Sequence, residues 1–407
     1  MFKVTMIFKR TVQFFTIIIL SVAMHSCIET FEDFKTETFE SALVIEATIT
    51  NELKKQEILL SRTFALEEDG PSPERNADVK VIDDVQNEYI FQETDSGRYV
   101  STMAFNAKPN RTYSLSIKTN DGRSYTSDQS QLTQATQIDN LYAVREFNRD
   151  SIEGVSIFVD SFDPTGNSNY YRYEYEETYK IVAPKYIPFE VVFHEGSFTE
   201  FDLLPRPEQE KICYNTIASN TIIISNTTEL NEDRIDRFPV RFLNRNNYII
   251  SHRYSILVRQ FVQSREAYVY YEALKSFSEL ENLFSENQPG FINGNVFSEN
   301  NRDEKVIGFF EVSSVDSKRI YFNYIDLFPD EELPLYAINC GTFIAPQVEV
   351  AAFIYPLFDH ISSGFQYVSV NPSYTGSIHD SPFFLVHRAC GDCTALGKTE
   401  IPDFWIE

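Results

Sequence analysis

Three cysteines and one histidine near the end of the chain have the residue types and the spacing that could bind a metal ion. Cys390 and Cys393 form a Cys-x-x-Cys pair, and His387 lies three residues before it. With Cys340 as a fourth ligand, these side chains would make a tetrahedral zinc site. Such sites more often have a Cys-x-x-Cys pair on both sides, and only one is present here.

The same cysteines favour disulfides if the chain leaves the cytoplasm. Apart from Cys27, the cysteines are Cys213, Cys340, Cys390 and Cys393, an even number that is typical of exported proteins. The Cys-x-x-Cys pair lies near the C-terminus, whereas a thioredoxin-like redox site opens a helix after a first strand. We predict two disulfides, or one disulfide and two free thiols, that tie the C-terminal segment to the rest of the chain. The spacing leaves their pairing open.

The N-terminus has the features of a signal peptide, which we place at residues 1–26. Lys3, Lys9 and Arg10 precede an apolar run over residues 11–23. This run is too short to span a bilayer, and the acidic stretch that follows cannot extend it. The sequence therefore predicts export without a transmembrane helix in the mature chain.

Cys27 directly follows this signal and is the predicted site of lipid attachment. The sequence resembles the lipobox of bacterial lipoproteins, although Met24 and His25 depart from the usual pattern, so ordinary cleavage is the alternative. Residues 27–40 form an acidic tether that resembles the export tags of surface lipoproteins. We expect acyl chains such as palmitate on Cys27 to anchor the protein to an outer membrane, exposed at the cell surface.

The pattern between residues 41 and 131 predicts short strands. Leu43, Ile45, Ala47 and Ile49 alternate with more polar residues, as in a strand that is buried on one face. Further strands are predicted at 57–62, 77–83, 88–93, 98–103 and 112–119. Together they predict a mainly β fold that begins with an immunoglobulin-like or carboxypeptidase-regulatory-like β-sandwich over residues 41–131.

A larger β-rich domain is predicted over residues 138–407. Its strands are expected at 155–162, 170–181, 221–225, 252–263, 304–312, 319–323, 347–354 and 382–387. Apolar side chains recur at helical spacing over residues 265–286, and Ser264 can cap the first turn. The sequence therefore predicts one prominent helix within this domain.

Aromatic side chains are frequent, with 35 Phe and 23 Tyr in the chain. Four of them, Tyr171, Tyr173, Tyr175 and Tyr179, fall largely in phase on one predicted strand. Packing against a neighbouring layer is the simpler interpretation. A platform that binds a peptide or a glycan is the alternative.

The formal charge and the missing motifs exclude several function classes. A net charge of −25 repels nucleic acid backbones, so we expect no nucleic acid partner. Only 14 glycines are present, and no phosphate-binding loop, H-E-x-x-H or G-x-S-x-G motif occurs. We therefore predict a protein that is not an enzyme and takes no cofactor. A surface hydrolase stays an alternative because catalytic groups can assemble from distant positions.

Several short motifs, taken in order, resemble one family. They are Leu43-Val44-Ile45-Glu46-Ala47, Phe162-Asp163-Pro164, Asn169-Tyr170-Tyr171-Arg172, Arg253-Tyr254-Ser255-Ile256, Glu266-Ala267-Tyr268, Asn293-Gly294-Asn295, Val306-Ile307-Gly308-Phe309-Phe310, Cys390-Gly391-Asp392-Cys393 and Pro402-Asp403-Phe404-Trp405. They resemble the domain of unknown function 4249 family of Bacteroidota outer-membrane lipoproteins over nearly all of the mature chain. The resemblance implies a TonB-dependent receptor, a β-barrel, as partner and assigns no catalytic residues.

We therefore expect an accessory uptake component that binds a TonB-dependent receptor or its cargo. A peptide or a glycan is the expected class of cargo. One alternative is a scaffold subunit of an outer-membrane assembly or secretion complex that binds no ligand. The other alternative is the cell-surface hydrolase.

Overall fold

The computed structural model describes residues 39, 41–65, 68, 70–206, 210–279 and 292–407. The predicted signal peptide, Cys27 and nearly all of the acidic tether lie outside these residues. Within them the chain is mainly β with a few short helices, which confirms the predicted fold class.

The strands fall into three runs along the chain. The first run is β1 Leu43–Thr50, β2 Glu57–Arg62, β3 Ser72–Pro73, β4 Asp78–Asp83, β5 Glu88–Asp95, β6 Arg98–Ser101, β7 Thr112–Lys118, β8 Ser124–Ser127 and β9 Ser130–Gln131. The second run is β10 Ile138–Phe147, β11 Glu153–Phe162, β12 Tyr170–Val182, β13 Phe189–Phe193, β14 Phe201–Pro205, β15 Ile212–Ala218, β16 Ile223–Asn226, β17 Arg234–Asn244 and β18 Arg253–Val262. The third run is β19 Val296–Ser298, β20 Val306–Asn323, β21 Gln366–Val370 and β22 Phe383–Val386.

One helix is much longer than the others in the described part of the chain. The helices are α1 Arg265–Glu279, α2 Tyr324–Leu327, α3 Pro356–Ser362 and α4 Arg388–Gly391. The start of α1 is as predicted, because the Ala267 N–H donates to the Ser264 hydroxyl at 3.1 Å. Residues 280–286 of the predicted helix lie outside the described residues. No described helix has the length and the apolar run needed to cross a bilayer.

The N-terminal sandwich is built from β1 to β9 together with two later segments. Its sheet follows the order β20-β1-β2-β6-β5-β4-β7-β8-β19 and encloses a core that includes Leu43, Ile45, Tyr113 and Phe310. The sheet bends back on itself, so that its two end strands, β19 and β20, meet. The Asn295 side chain beside β19 exchanges two hydrogen bonds with the backbone of Phe310 on β20, at 2.7 and 2.9 Å. The alternation that predicted β1 is confirmed by its burial pattern.

Strand β20 joins the two halves of the molecule. Its first part, from Val306 to Ser313, pairs parallel with β1, and its second part, from Ser314 to Asn323, pairs antiparallel with β18. The boundary predicted at residue 131 is therefore incomplete, because β19 and half of β20 belong to the first core. β1 and β20 lie far apart in the sequence, and pairing between such strands cannot be read from the periodicity of a short segment.

A second sandwich lies beyond this seam. The sheet β10-β11-β17 packs on β12, β18 and the second part of β20 around a core that includes Val155, Tyr171, Leu243 and Ile256. A buried ion pair crosses between the two layers. Glu177 on β12 accepts two hydrogen bonds from Arg241 on β17, at 3.0 and 3.1 Å, and one from the Tyr254 hydroxyl at 2.6 Å.

We expect Glu177→Ala to lower the free energy of unfolding by about 3 kcal/mol, because it leaves Arg241 and the Tyr254 hydroxyl without their shared acceptor. Equilibrium denaturation in urea measures this change. Glu176→Ala is the matched control, because Glu176 is exposed and meets Arg319 at 3.3 Å, so its loss should cost less than about 1 kcal/mol. If the two substitutions lowered the free energy of unfolding equally, Glu177 would not be the residue that holds the two layers together.

A third, smaller core lies under the hairpin β13-β14, the pair β21-β22 and helix α3. Its buried members include Val191, Leu357, Tyr367 and Leu385. Two disulfides link the C-terminal region to the rest of the chain: Cys213 pairs with Cys393, and Cys340 pairs with Cys390. Of the two predicted outcomes, two disulfides or one disulfide with two free thiols, the structure shows the first, and it adds the pairing.

The last residues pack on the outer face of the second sandwich. The ring of Trp405 meets Tyr214 edge to face, with 4.9 Å between centroids, and Arg319 lies 3.6 Å above the ring of Phe404. The Glu407 carboxylate accepts hydrogen bonds from Lys180 at 2.9 and 3.0 Å. The C-terminal tail is thus tied down by side-chain contacts as well as by the disulfides.

Candidate functional site: a cleft across the seam

A cleft crosses the seam between the two sandwiches on the outer face of the large sheet. It consists of two adjoining cavities of about 740 and 670 Å³. The charged and aromatic residues that line both cavities are Glu46, Glu57, Arg172, Glu174, Arg259 and Tyr271. We call this region the seam cleft. Each cavity has the size of a small-molecule binding pocket.

Strand alternation explains why polar side chains meet here. Residues that follow one another on a strand point to opposite faces of its sheet. Glu46 lies between the core residues Ile45 and Ala47, and Arg172 lies between the core residues Tyr171 and Tyr173. Both polar side chains therefore point away from the cores. Since β20 runs through both sandwiches, the two outer faces form one continuous surface.

Arg172 forms the floor of the cleft and is 7% exposed. Its guanidinium pairs with Glu174 and, at 3.3 Å, with the buried Glu311, and it lies 4.3 Å from the ring centroid of Phe261. Burial opposes its charge, but Tyr271, Glu311 and Glu174 outweigh burial and raise its pKa. Nε has no hydrogen-bond partner among the described residues. An unpaired buried donor is costly, and at a cleft it points to a ligand acceptor.

Glu46 differs from the other carboxylates of the cleft because it has no hydrogen bond or ion pair with a described residue. The Glu46 side chain is exposed to water, and it also lines the larger cavity. Burial raises the pKa of Glu46, repulsion by Glu174 raises it further, and Arg172 partly offsets both effects. The ionised form of Glu46 therefore lacks a compensating positive charge.

Helix α1 provides the aromatic wall of the cleft. Tyr270 packs on Phe309 of β20, with 5.5 Å between ring centroids, and Tyr271 lies 4.8 Å from the guanidinium of Arg172. Burial raises the pKa of Tyr271 to about 12, and Arg172 opposes that rise, so the phenol is neutral at physiological pH. Tyr270 and Leu274, two of the apolar side chains at helical spacing, pack in a core cluster with Phe309, and the same helix also lines the cleft.

The rim of the cleft carries charges of both signs. Arg98 and Glu57 form a bidentate pair at 2.7 Å, whereas Arg259 is only loosely paired, at 3.9 Å from Glu52. Lys55 lines the larger cavity and is exposed. The cleft thus combines an unpaired carboxyl, cations that can accept a partner and aromatic faces. Such a surface suits binding of a polar organic ligand.

The cysteines and the histidine that could have bound zinc do not form a metal site. Cys340, Cys390 and Cys393 are all disulfide-bonded, so none of them offers a thiolate. The His387 ring accepts a hydrogen bond from the Ala389 N–H at 3.3 Å, which caps α4. No group of three or more His, Cys, Asp or Glu side chains able to hold a metal ion occurs among the described residues. The zinc alternative is therefore not supported.

The tyrosine ladder of β12 is core packing. Tyr171, Tyr173 and Tyr179 are buried in the second sandwich, and Tyr173 stacks on Phe238 with 5.0 Å between centroids. These rings cannot form an open platform for a peptide or a glycan. The aromatic residues that line the seam cleft, Tyr270 and Tyr271, belong to α1 and not to this ladder.

A second feature is an exposed apolar patch on the third core. Its members are Phe198, Val350, Phe353, Ile354 and Ile378. The ring of Phe198 stacks on Tyr355, next to Ile354, and the Glu349 N–H donates to the carbonyl of Ile378 at 2.7 Å. These contacts bring the segments that carry the five exposed side chains close together, and we call this region the apolar tip.

Phe353 lies at the end of the apolar tip in a strained conformation. It is 88% exposed and has a φ of +69°, which is rare for a bulky residue. A tight turn holds it: the Ile354 N–H donates to Ala351 O at 2.9 Å, and the Val350 N–H donates to Ile354 O at 3.1 Å. The strand predicted at 347–354 is therefore wrong. Strain that displays an apolar side chain to solvent often marks a functional surface.

Comparison with known proteins places the chain in a family without adding an activity. A search of curated proteins found no match. Among solved structures, a DUF4785 family protein from Legionella pneumophila is 9% identical, and the alignment covers 53% of this chain and 49% of that one, about half its length. Its TM-score of 0.14 is too low to support a shared fold. The family model described as "Domain of unknown function (DUF4249)" matches residues 29–319. The chain therefore belongs to the domain of unknown function 4249 family.

Proposed function

We propose that this protein is a lipid-anchored lipoprotein of an outer membrane that docks on a TonB-dependent β-barrel receptor and holds cargo for uptake, without catalysing a reaction. The observation that carries the docking proposal is the apolar tip. Soluble proteins rarely display adjoining large apolar side chains unless a partner covers them.

The charge of the protein favours another protein over a membrane as the partner of the apolar tip. Acidic residues lie near the apolar tip. Glu349 precedes Val350 in the chain, and on the β13-β14 hairpin the Asp202 carboxylate lies 2.9 Å from the His194 ring. A chain with a net charge of −25 is also repelled by anionic lipid surfaces. An apolar centre within a polar, acidic rim is the usual anatomy of a protein interface.

Lipid attachment at Cys27 would support docking by confinement. A protein held on a membrane searches two dimensions, so its effective concentration beside a membrane receptor rises. Modest affinity at the apolar tip is then sufficient. The seam cleft supports the cargo part of the proposal, because it lies on a different part of the molecule and can stay open while the tip is covered.

We expect Phe353→Gly to reduce recovery of the receptor about tenfold or more while leaving the fold intact. The substitution removes the most exposed side chain of the apolar tip and also relieves the positive φ. Relief of strain and the backbone entropy of glycine nearly cancel, so the free energy of unfolding should stay within about 1 kcal/mol of the original. Pull-down of tagged protein from solubilised membranes, followed by mass spectrometry, measures the recovery.

Met103→Gly is the matched control, because Met103 is 71% exposed but lies in the N-terminal sandwich. It should leave receptor recovery unchanged. If both variants recover the barrel as well as the original protein does, the apolar tip is not the docking surface. If the original protein never brings down a β-barrel, the proposed function itself is wrong.

A further inference from the structure

We propose that the seam cleft binds its ligand through a protonated amine held between the carboxyls of Glu46 and Glu174. This inference rests on the proposed function in one respect, which is that the ligand is called cargo. It adds the chemical class of that ligand, an organic ammonium compound, and binding to the purified protein tests it directly.

Glu46 is the first reason. Glu46 lines the cavity and is open to water, and neither a cation nor a hydrogen-bond donor of the described residues pairs with it, so its carboxylate is free to accept a ligand. Burial and Glu174 raise its pKa, so the protein does not satisfy the ionised form. A ligand cation beside Glu46 would supply the missing charge and form a charge-assisted hydrogen bond.

The charges that face Glu46 from each surrounding strand support a cation at this position. Strand β12 contributes Arg172 and Glu174, and β20 contributes Glu311, so one guanidinium is paired with two carboxyls and Glu46 is a third carboxyl within range of its charge. Arg172 is already paired with both Glu174 and Glu311. The region next to Glu46 therefore has excess negative charge.

Other cations of the cleft do not fill this position. Strand β18 contributes Arg259, which approaches Glu52 at 3.9 Å, and Glu57 of β2 is occupied by Arg98. Lys55 is exposed at the rim of the larger cavity. Lys54 also lines the larger cavity and pairs with Glu52. None of these four cations forms an ion pair with Glu46.

The aromatic wall is the second reason. Helix α1 contributes Tyr270 and Tyr271 to the cavity that contains Glu46. Both phenols are neutral, because burial raises the pKa of each. Tyrosine faces attract ammonium groups, and the attraction is strongest where water is excluded. Carboxyls and tyrosine rings in one cavity are a typical setting for an amine.

Arg172 is the third reason, and it indicates what accompanies the amine. Its Nε–H lacks an acceptor and lies in the same floor as Glu174. This Nε atom is buried, so a ligand with a carbonyl or carboxylate oxygen near its amine could satisfy it once the side chains that cover it shift. The amino terminus of a peptide and the side chain of a lysine within a peptide both offer an ammonium group close to carbonyl oxygens.

Isothermal titration calorimetry of the full mature protein with four synthetic peptides tests the inference and distinguishes these two sources. Trialanine amide is compared with its N-acetylated form, which lacks the terminal ammonium and is neutral. Acetyl-Ala-Lys-Ala-amide is compared with the same peptide carrying norleucine, which keeps the length of the side chain and removes its charge. We expect at least one ammonium peptide to bind at least tenfold more tightly than its neutral partner.

Glu46→Gln should weaken that binding about tenfold or more, because a neutral amide replaces the charged acceptor. Glu195→Gln is the control, since Glu195 is exposed on the β13-β14 hairpin next to His194 and does not line the cleft. Glu46→Asp keeps the charge and should retain more affinity than Glu46→Gln. These substitutions lie on an open face, so thermal unfolding should be unchanged.

The pH dependence provides a separate readout. The ammonium group binds the ionised form of Glu46, so affinity should be full at neutral pH and should fall as the pH drops through the raised pKa of Glu46. In Glu46→Gln this fall should disappear or move to lower pH, where the other carboxyls titrate.

Three results would overturn the inference. They are no heat from either ammonium peptide at millimolar concentration, equal binding of the neutral partners, and affinity that changes less than twofold in Glu46→Gln. None of these results depends on a receptor. If the protein recovers a β-barrel from membranes but its cleft binds ammonium and neutral peptides equally, the inference fails and the docking proposal still stands.

Discussion

Replacing Cys213 and Cys393 together by alanine is expected to lower the free energy of unfolding by about 5 kcal/mol. The disulfide joins residues that are 180 positions apart, so it strongly restricts the unfolded chain. Both sulfurs are buried, at the point where β15 meets the C-terminal segment. Equilibrium denaturation under non-reducing conditions measures the loss.

The second disulfide is the matched comparison for the first. Cys340 and Cys390 are 50 positions apart, so their removal should cost about 4 kcal/mol, less than removal of the longer link. Thiol titration of the unfolded original protein should find none of the four cysteines free. Free thiols there, or an unchanged denaturation midpoint in the first double variant, would contradict this pairing.

Cys27→Ser is expected to move the protein from the membrane fraction to the soluble fraction. Each buried methylene of an acyl chain contributes about 0.8 kcal/mol, so loss of the acyl chains removes the whole anchor. The measurement is cell fractionation, together with the intact mass of the mature protein, which should lose the increment of the acyl groups.

Thr30→Ser should leave the protein in the membrane fraction, because Thr30 follows the proposed attachment site without carrying the lipid. Membrane association of Cys27→Ser equal to that of the original protein would show that something other than a lipid holds the protein there. An unmodified N-terminus on the original protein would lead to the same conclusion.

Local sequence patterns predicted much of the fold. The alternation of β1, the start of α1 at Ser264 and the expectation that the cysteines form disulfides all depend on neighbouring residues or on composition. Strands β12 and β18 also lie close to their predicted bounds. In β1 the buried side chains nearly alternate with more exposed ones, so the sequence alone shows which face is inside.

Strand β20 shows where local patterns fail. Polar residues between 313 and 318 suggested two strands with a gap, but β20 is continuous through them. The polar groups are satisfied by distant partners: Ser314 N–H donates to the Thr133 hydroxyl at 2.9 Å, and Val315 N–H donates to Asn51 Oδ1 at 2.8 Å. A sequence window cannot include those partners.

The seam cleft was also invisible in the sequence. Glu46 looked like an ordinary solvent-facing residue of an alternating strand, and Arg172 followed a tyrosine in a tyrosine-rich strand. The pairing of β1 with β20, of β20 with β18 and of β18 with β12 brings Glu46 and Arg172 to one surface. In hindsight, several motifs of the family resemblance meet at this seam, including Glu46, Gly294, Gly308 and Phe309. A Cβ on Gly294 would lie 1.6 Å from Gly308 O, so backbone closure explains that glycine.

The most direct test of the docking account is photo-crosslinking in intact cells from a benzophenone amino acid placed at Phe353, with the same amino acid at Met103 as the control. The account predicts that the residue at 353 crosslinks to a TonB-dependent β-barrel receptor and that the residue at 103 does not. Crosslinks from 353 to lipid alone, or equal crosslinking of the barrel from both positions, would contradict it.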